Sequence, residues 1–380
     1  MRKIVETLLL GVFFLLPTMA RADKPIVTIG WSGPLTGDSA VLGVDSRRAM
    51  EMVFESANSL PTAKAHFKLA VEDDQYSTAK SLTAYRRLVS LEKAQVVVFL
   101  TYGGLFSVAP QAMRDRVLIV DPLDCNAEVA KLPSSVVCIA AMTDEIGRLN
   151  AEMAMRSGST RGAILYFSDD PFMSTVARST EATLRAAGNQ VIFSEGYSAR
   201  QSDFRTLLLN VKAKGADSLY VYGYDEAANI MKQARQLGMP IPFFSTATVF
   251  SPPFIAASGT ALEGTRFSVF TPSHERRYAD FRDAFQKRYG TLPILDIATV
   301  PSFDIANLIV GFTNEFKGEV GSASFHDELK SFLSSVKNYD GASGKITIDL
   351  DGATRSLAVR TYEVRQGTRQ LVQPPEIGLR

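Results

Sequence analysis

Histidine, cysteine and tryptophan are scarce in this sequence: three, two and one among 380 residues. Each shortage closes a line of chemistry. The histidines, His66, His274 and His326, fall in a strand pattern and at two helix starts, away from any serine or cysteine elbow. No G-x-S-x-G turn and no H-E-x-x-H helix occurs, and the two cysteines fit no zinc spacing. A catalytic site needs a nucleophile, a base and a group to orient them, and no such set is gathered here. The expectation is a protein that is not an enzyme and carries no cofactor or metal. A dominant charge is missing as well. With 41 Lys+Arg against 40 Asp+Glu the net charge is +1, so no global field holds nucleic acid or an anionic membrane. Beyond the first residues no stretch is long and apolar enough to cross a bilayer. Short-period repeats, low-complexity tracts and long flexible linkers are also absent.

What is present begins with a targeting pattern. Arg2 and Lys3 precede the apolar run Leu8–Leu16, and Ala20-Arg21-Ala22 sets small residues where a signal peptidase inspects the chain. That order predicts a secretory signal over residues 1–22, cleaved before Asp23, and hence a periplasmic protein. The run is too short for a membrane anchor and Pro17 ends it; no cysteine near the cleavage point offers a lipid attachment. The chain from Asp23 to Arg380 is too long for one ordinary core, so two lobes are expected. Export permits a disulfide between Cys125 and Cys138. The alternative is two separate buried thiols packed as small hydrophobes.

Strand and helix patterns alternate through most of the chain. Ile26–Trp31, His66–Glu72, Gln95–Leu100 and Val117–Val120 read as strands, with helices over Val44–Ser59, Thr78–Leu91 and Phe106–Arg114. Val96-Val97-Val98-Phe99 is apolar on both faces, the mark of a buried parallel strand. The rhythm continues with helices over Thr143–Ser157, Pro171–Ala187, Asp203–Lys214 and Glu226–Leu237. Strands over Arg161–Phe167, Gln190–Glu195, Ser218–Tyr222 and Pro242–Ser245 lie between and after them. Such alternation predicts an α/β fold with mostly parallel sheets covered on both faces. After Thr271 come three helices, Glu275–Tyr289, Ala298–Phe316 and Phe325–Val336. Two antiparallel strands, Lys345–Leu350 and Ser356–Val364, follow, joined at Asp351-Gly352. Crossings near Thr143, Thr271 and Gly352 divide the chain into lobe one, 23–143 plus 272–352, and lobe two, 144–271 plus 353–380.

In open parallel sheets, ligands sit beyond the carboxyl ends of the strands. The loops there are the candidate site. Trp31–Gly43 is glycine-rich and leads to a helix N-terminus, fit for an anionic group or simply a tight turn; it matches neither a P-loop nor a dinucleotide fingerprint. Thr101-Tyr102-Gly103-Gly104-Leu105 joins a buried strand to a helix, its glycines allowing close backbone approach. Asp121–Asn126, Phe167–Phe172 and Tyr222–Glu226 complete the set. Aromatics recur at these ends: Trp31, Tyr102, Phe167, Phe172, Tyr222 and Tyr224. Rings with a few orienting polar groups are the makeup of a small-molecule site. The acids Asp121, Asp124, Asp169, Asp170 and Asp225 cluster by loop. Paired acids serve hydrolysis in other settings, but Asp169 and Asp170 before Pro171 fit helix capping.

The opening Val27-Thr28-Ile29-Gly30-Trp31-Ser32-Gly33-Pro34-Leu35-Thr36-Gly37, with Gly43 before a helix, resembles the start of the branched-chain amino-acid-binding proteins of ABC importers. The resemblance continues through Val71-Glu72-Asp73-Asp74-Gln75, Gly103-Gly104 and Tyr222-Gly223-Tyr224. It implies the type I periplasmic-binding fold, two Rossmann-like lobes joined by a multi-strand hinge, and a monomer that presents its closed form to an ABC permease. By that resemblance, Thr101–Gly104 and Leu123-Asp124-Cys125 meet the ligand's carboxylate, Phe172 and Tyr224 close over it, and Leu42 lines the cleft. The acidic residue that in such proteins takes the ligand's ammonium falls near Ala247 or Thr248, neither charged. An unpaired buried ammonium is costly. The ligand is expected to be an amino-acid-like, aromatic or other small organic acid and, unless Asp124 or Asp225 substitutes, one less zwitterionic or more apolar than a standard amino acid. A sensor serving a signalling partner and a carrier of larger apolar cargo are the alternative readings. Calorimetry with leucine and valine is expected to show no tight binding, and tight binding of either would overturn this expectation.

Overall fold

The computed structural model describes residues 24–37, 39–198, 201–273 and 275–372. The signal segment, Asp38 and His274 lie outside the described residues. The first part of the chain forms β1 (Ile26–Gly33), α1 (Ala40–Ser59), β2 (His66–Asp73), α2 (Thr78–Ser90), β3 (Val96–Phe99), α3 (Tyr102–Asp115), β4 (Leu118–Asp121) and β5 (Val136–Cys138). These five strands make one sheet in the order β2-β1-β3-β4-β5, every neighbouring pair parallel. β1 is bonded to β2 on one side and β3 on the other, so the winding reverses beside it.

A second sheet follows. Its elements are α4 (Thr143–Arg156), β6 (Arg161–Phe167), α5 (Pro171–Ala186), β7 (Gln190–Tyr197), α6 (Arg205–Ala213), β8 (Ser218–Tyr222), α7 (Asp225–Gln236), β9 (Phe243–Ser245), α8 (Pro252–Ser258) and β10 (Arg266–Phe270). The chain then runs through α9 (Glu275–Tyr289), α10 (Asp296–Glu315) and α11 (Ala323–Leu333), a two-residue ladder of β11 (Tyr339–Asp340) with β12 (Lys345–Ile346), and finally β13 (Val359–Arg365) and β14 (Thr368–Leu371). The order of the second sheet is β14-β13-β10-β9-β8-β6-β7. β6 to β10 are parallel, and β13 is antiparallel to both β10 and β14. Among the described residues no helix is long and apolar enough to cross a membrane.

Local chemistry accounts for most boundaries. β3, β4 and β8 are buried at every position, as continuous apolar runs covered by helices on both faces require. α5 starts with Pro171 in its first turn behind Asp170, whose side chain accepts from the Phe172 N–H at 2.9 Å, a proline and cap pairing that fixes the N-terminus. α10 returns to α1: Ser46 and Ser302 share a buried hydroxyl contact of 2.7 Å, and the Ile294 N–H donates to Asp45. A Cβ on Gly43 would lie 1.9 Å from the Pro34 carbonyl oxygen, so the approach of α1 to the end of β1 needs glycine there.

Three expectations are corrected. α3 begins at Tyr102, so Gly103 and Gly104 are helical instead of forming a turn; a Cβ on either would strike Thr78 or Ser81 of α2, at 2.3 and 2.2 Å. The anticipated hairpin across Asp351-Gly352 is reduced to a single bridge between Ile348 and Thr354. β12 pairs with β11 and β13 with β10, and Leu350, which would have continued the strand alternation, is fully exposed. β5, β10 and α8 were not anticipated, being too short or too interrupted to carry a periodic signal.

Cys125 and Cys138 form a disulfide, which settles the open choice between a bridge and two thiols. It lies where several chain segments meet. Thr143 N–H at the start of α4 donates to the Cys125 carbonyl (2.6 Å), Cys138 N–H donates to the Gly352 carbonyl (2.9 Å), and the Thr354 hydroxyl donates to the Cys138 carbonyl (2.7 Å). Replacing both cysteines by serine is expected to lower stability by about 3 kcal/mol, the entropy of so short a loop. Urea unfolding with and without reductant measures it, and a reductant-insensitive midpoint in the native protein would contradict the bridge.

Candidate functional site

The carboxyl ends of β1, β2 and β3 are drawn together by one buried side chain. Asp74, just past β2 and fully buried, accepts from the hydroxyls of Ser32 (3.0 Å), Thr101 (2.7 Å) and Ser81 (3.3 Å) and from the Tyr76 N–H (3.0 Å). Its neighbour Asp73 accepts from Leu35 N–H (2.9 Å) and the Thr36 hydroxyl (2.6 Å), pinning the first loop. The chain pays for this arrangement with two consecutive left-handed residues, Gln75 at φ 55° and Tyr76 at φ 56°. Non-glycine residues rarely hold that conformation. Tyr76 lies on the wall of a cavity.

That cavity is a narrow crevice walled from two sides. Leu42 of α1, Tyr76, Leu123 after β4, and Leu295 and Ile297 at the start of α10 form one side. Phe172 and Met173 of α5, Tyr224 after β8, and Thr246-Ala247-Thr248 after β9 form the other. Ile146 of α4 with Ser268 and Val269 of β10 complete it. The strand-end loops of both parallel sheets therefore converge on one volume, as open sheets with reversed winding allow. The halves also touch beside it. Arg178 of α5 pairs with Glu128 at 3.2 Å, and the position of a Gly103 Cβ lies 3.7 Å from Pro171.

Acids dominate the electrostatics of this region. Asp121 accepts from the N–H groups of Leu123 and Asp124 through one oxygen (2.8 and 3.0 Å). Asp170 caps α5 and accepts from the Tyr224 hydroxyl at 2.8 Å. Asp121, Asp124 and Asp170 are buried, and burial raises the pKa of each above the usual carboxyl range, Asp170 to about 6. In Asp124 the charges of Asp121 and Asp170 add to the rise. The Tyr76 and Tyr224 phenols are likewise driven up, chiefly by burial and next by the charge of Asp170. No arginine or lysine lines the cavity among the described residues, and no group of histidine, cysteine or acid side chains there is arranged to hold a metal.

The residues singled out from sequence divide in two. Leu42, Leu123, Phe172 and Tyr224 stand on the cavity wall, and Asp124 is buried next to Leu123. The others are engaged elsewhere. Trp31 is core, its indole N–H donating to Ser46 at 3.2 Å. Thr101 gives its hydroxyl to Asp74. Tyr102 is core, donating to Glu128 and accepting from Asn126. Gly103 and Gly104 admit α2 against α3, and Cys125 is in the disulfide. A side chain at a strand end points to core or cleft according to a one-residue change of phase, which composition does not reveal. Tyr76, Thr246, Thr248, Leu295 and Ile297 were missed. Tyr76 directly follows the Val71–Gln75 stretch, and Thr246 and Thr248 flank the position where the resemblance sets the ammonium-binding residue; Leu295 and Ile297 had no signal.

The profile of the periplasmic binding protein family matches residues 26–369. A Leu/Ile/Val-binding protein homologue of Brucella suis is 25% identical over 352 residues, 86% of this chain and 85% of that protein. Among solved structures, a leucine binding protein from Thermotoga maritima superposes with a TM-score of 0.79 at 20% identity, over 91% of this chain and 98% of that one. An ABC-transporter solute binding protein from R. palustris in complex with benzoate gives 0.77 at 16%, over 91% and 95%. At such identities the superpositions establish the shared fold.

The buried acids dictate a pH dependence. A carboxyl whose folded pKa exceeds its unfolded value holds more protons when folded, so stability falls as pH rises between the two. For Asp170 that window runs from its ordinary value near 3.8 to about 6, and burial raises Asp304 similarly to about 6. Asp73 has the opposite sign: although burial opposes it, hydrogen bonds from Thr36, Leu35 and Gln75 hold its pKa down, and its contribution is lost only in stronger acid. The ligand-free melting temperature is expected to decline from about pH 4.5 to 7. A melting temperature that rises across that range in a pH series would refute the assignment.

Proposed function

The chain belongs to the periplasmic binding protein family, and from that premise we propose that it is a periplasmic receptor that captures a small organic molecule between two lobes and hands it to an ABC importer. One observation carries this reading. The loops beyond the carboxyl ends of two separate parallel sheets line a single apolar-walled cavity. A ligand that touches both sides favours the closed arrangement by the contacts it gains there. Residues 1–22 would serve as the cleaved export signal. Lobe one would comprise 23–143 plus 272–352 and lobe two 144–271 plus 353–380, with the protein acting as a monomer before an inner-membrane permease. Leu42, Leu123, Phe172 and Tyr224 would pack against the ligand, with Tyr76 added to them.

The buried acids serve no hydrolytic role in this reading. Asp170 caps a helix and accepts from Tyr224, and no nucleophile stands beside it.

A thermal-shift screen over amino acids, aromatic acids, amides and amines tests the proposal, since a ligand that binds only the folded state stabilises it by about 2.7 kcal/mol at a hundredfold excess over Kd. At least one class is expected to bind, with Phe172→Ala weakening it ~10-fold or more by removing a buried ring from the wall. Small-angle scattering should show a more compact particle with ligand. Binding indifferent to Phe172→Ala and without compaction would refute it.

A further inference from the structure

Asp124 is the feature of the cleft that the fold does not explain. It is fully buried, yet neither of its carboxylate oxygens has a hydrogen-bond partner in the protein, and the second oxygen of Asp121 is in the same condition. Asp170, 3% exposed, faces the same group of residues through its contact with Tyr224. Asp124 lies close enough to the Tyr76 and Tyr224 phenols for its charge to act on both. Three buried carboxyls thus stand directly behind wall residues, Asp121 accepting from the Leu123 N–H, Asp124 following Leu123 in the chain and Asp170 accepting from the Tyr224 hydroxyl, and among the described residues none of them forms an ion pair with lysine or arginine. Buried without a positive partner, such groups are driven to hold their protons. A site that keeps them is complementary to a molecule that brings the positive charge.

The remaining lining agrees. Tyr76, Phe172 and Tyr224 present rings to the cavity, and ring faces attract a cation once water is excluded. The threonine and serine hydroxyls nearby are committed within the protein. The Thr101 hydroxyl belongs to Asp74, and the Thr248 hydroxyl donates to the Gly223 carbonyl at 2.7 Å. Thr246 bonds Thr248, and Ser268 bonds Thr361.

We propose that the cleft takes a small apolar amine without a carboxylate, its protonated nitrogen seated against Asp124 between the Tyr76 and Tyr224 rings and its aliphatic or aromatic body packed on Leu42, Phe172 and Ile297. The inference rests on the receptor reading and specifies its ligand class.

Matched probes test it. Calorimetry on the native protein compares benzylamine with benzyl alcohol and benzoate, and isopentylamine with isovalerate. The amine is expected to bind ~10-fold or more tightly than its matched acid and alcohol, the worth of a charge-assisted buried contact. Asp124→Asn keeps the side-chain shape, should melt no lower than the native protein, and is expected to erase that preference. Should Asp124→Asn fail to fold, Asp170→Asn, which still caps α5, replaces it and is expected to weaken amine binding. An acid that binds more tightly than its matched amine, an amine preference that survives Asp124→Asn, or no binding by any of the five probes overturns the proposal. The receptor reading is separable: if acids or other panel members bind and Phe172→Ala weakens them, only the amine assignment falls. If nothing binds through Phe172, both fall.

Discussion

The Asp74 carboxylate is the constraint on which the geometry of the cleft depends. Parallel strands end in loops with no partner of their own, and backbone and hydroxyl groups there must find acceptors inside the protein. Asp74 supplies them for three adjacent segments, accepting from Ser32 after β1, Thr101 after β3 and Ser81 on α2. The cost is local. Gln75 and Tyr76 sit in left-handed conformations, and the hydroxyl of Thr101 is withdrawn from the cleft. The gain is a tyrosine ring held on the cavity wall by a rigid backbone, which is how binding groups are best positioned.

Around that anchor the structure separates two kinds of buried polar group. Asp74 and Asp304 have several donors each, Asp304 accepting from the Ala342 and Ser343 N–H groups at 2.7 Å; they serve the fold. Asp124 has none. Natural proteins break the rule of internal satisfaction at few places, and those places concentrate at functional sites. The contrast between a saturated carboxylate and an unsatisfied one a short distance away locates the polar end of the cleft more sharply than cavity shape does.

The disulfide belongs to the same economy of crossing segments. Cys125 follows the loop that bears Leu123 and Asp124, and Cys138 ends β5, beside the segment at Gly352–Thr354. The bridge therefore braces the polar end of the cleft against the place where the chain passes from one sheet to the other.

The α/β alternation, the parallel sheets and the strand ends as the functional edge were all legible in the order of residues, because they rest on local patterns: the doubly apolar Val96–Phe99, the capped start at Asp170-Pro171, the glycines that close helices. The membership of individual side chains in the cleft was not. Trp31 and Tyr102 have the same credentials as Phe172 and Tyr224, aromatic and next to a strand end, yet the first pair faces core and the second the cavity. Trp31 lies on β1, Tyr102 and Phe172 open helices and Tyr224 sits between β8 and α7, and only the completed packing of those elements shows which way each ring is turned. Leu295 and Ile297 reach the site because α10 docks on α1 through contacts between residues some 250 positions apart. The unpartnered carboxyl of Asp124 is likewise a tertiary fact, since whether a carboxyl has a partner depends on what the rest of the chain brings to it.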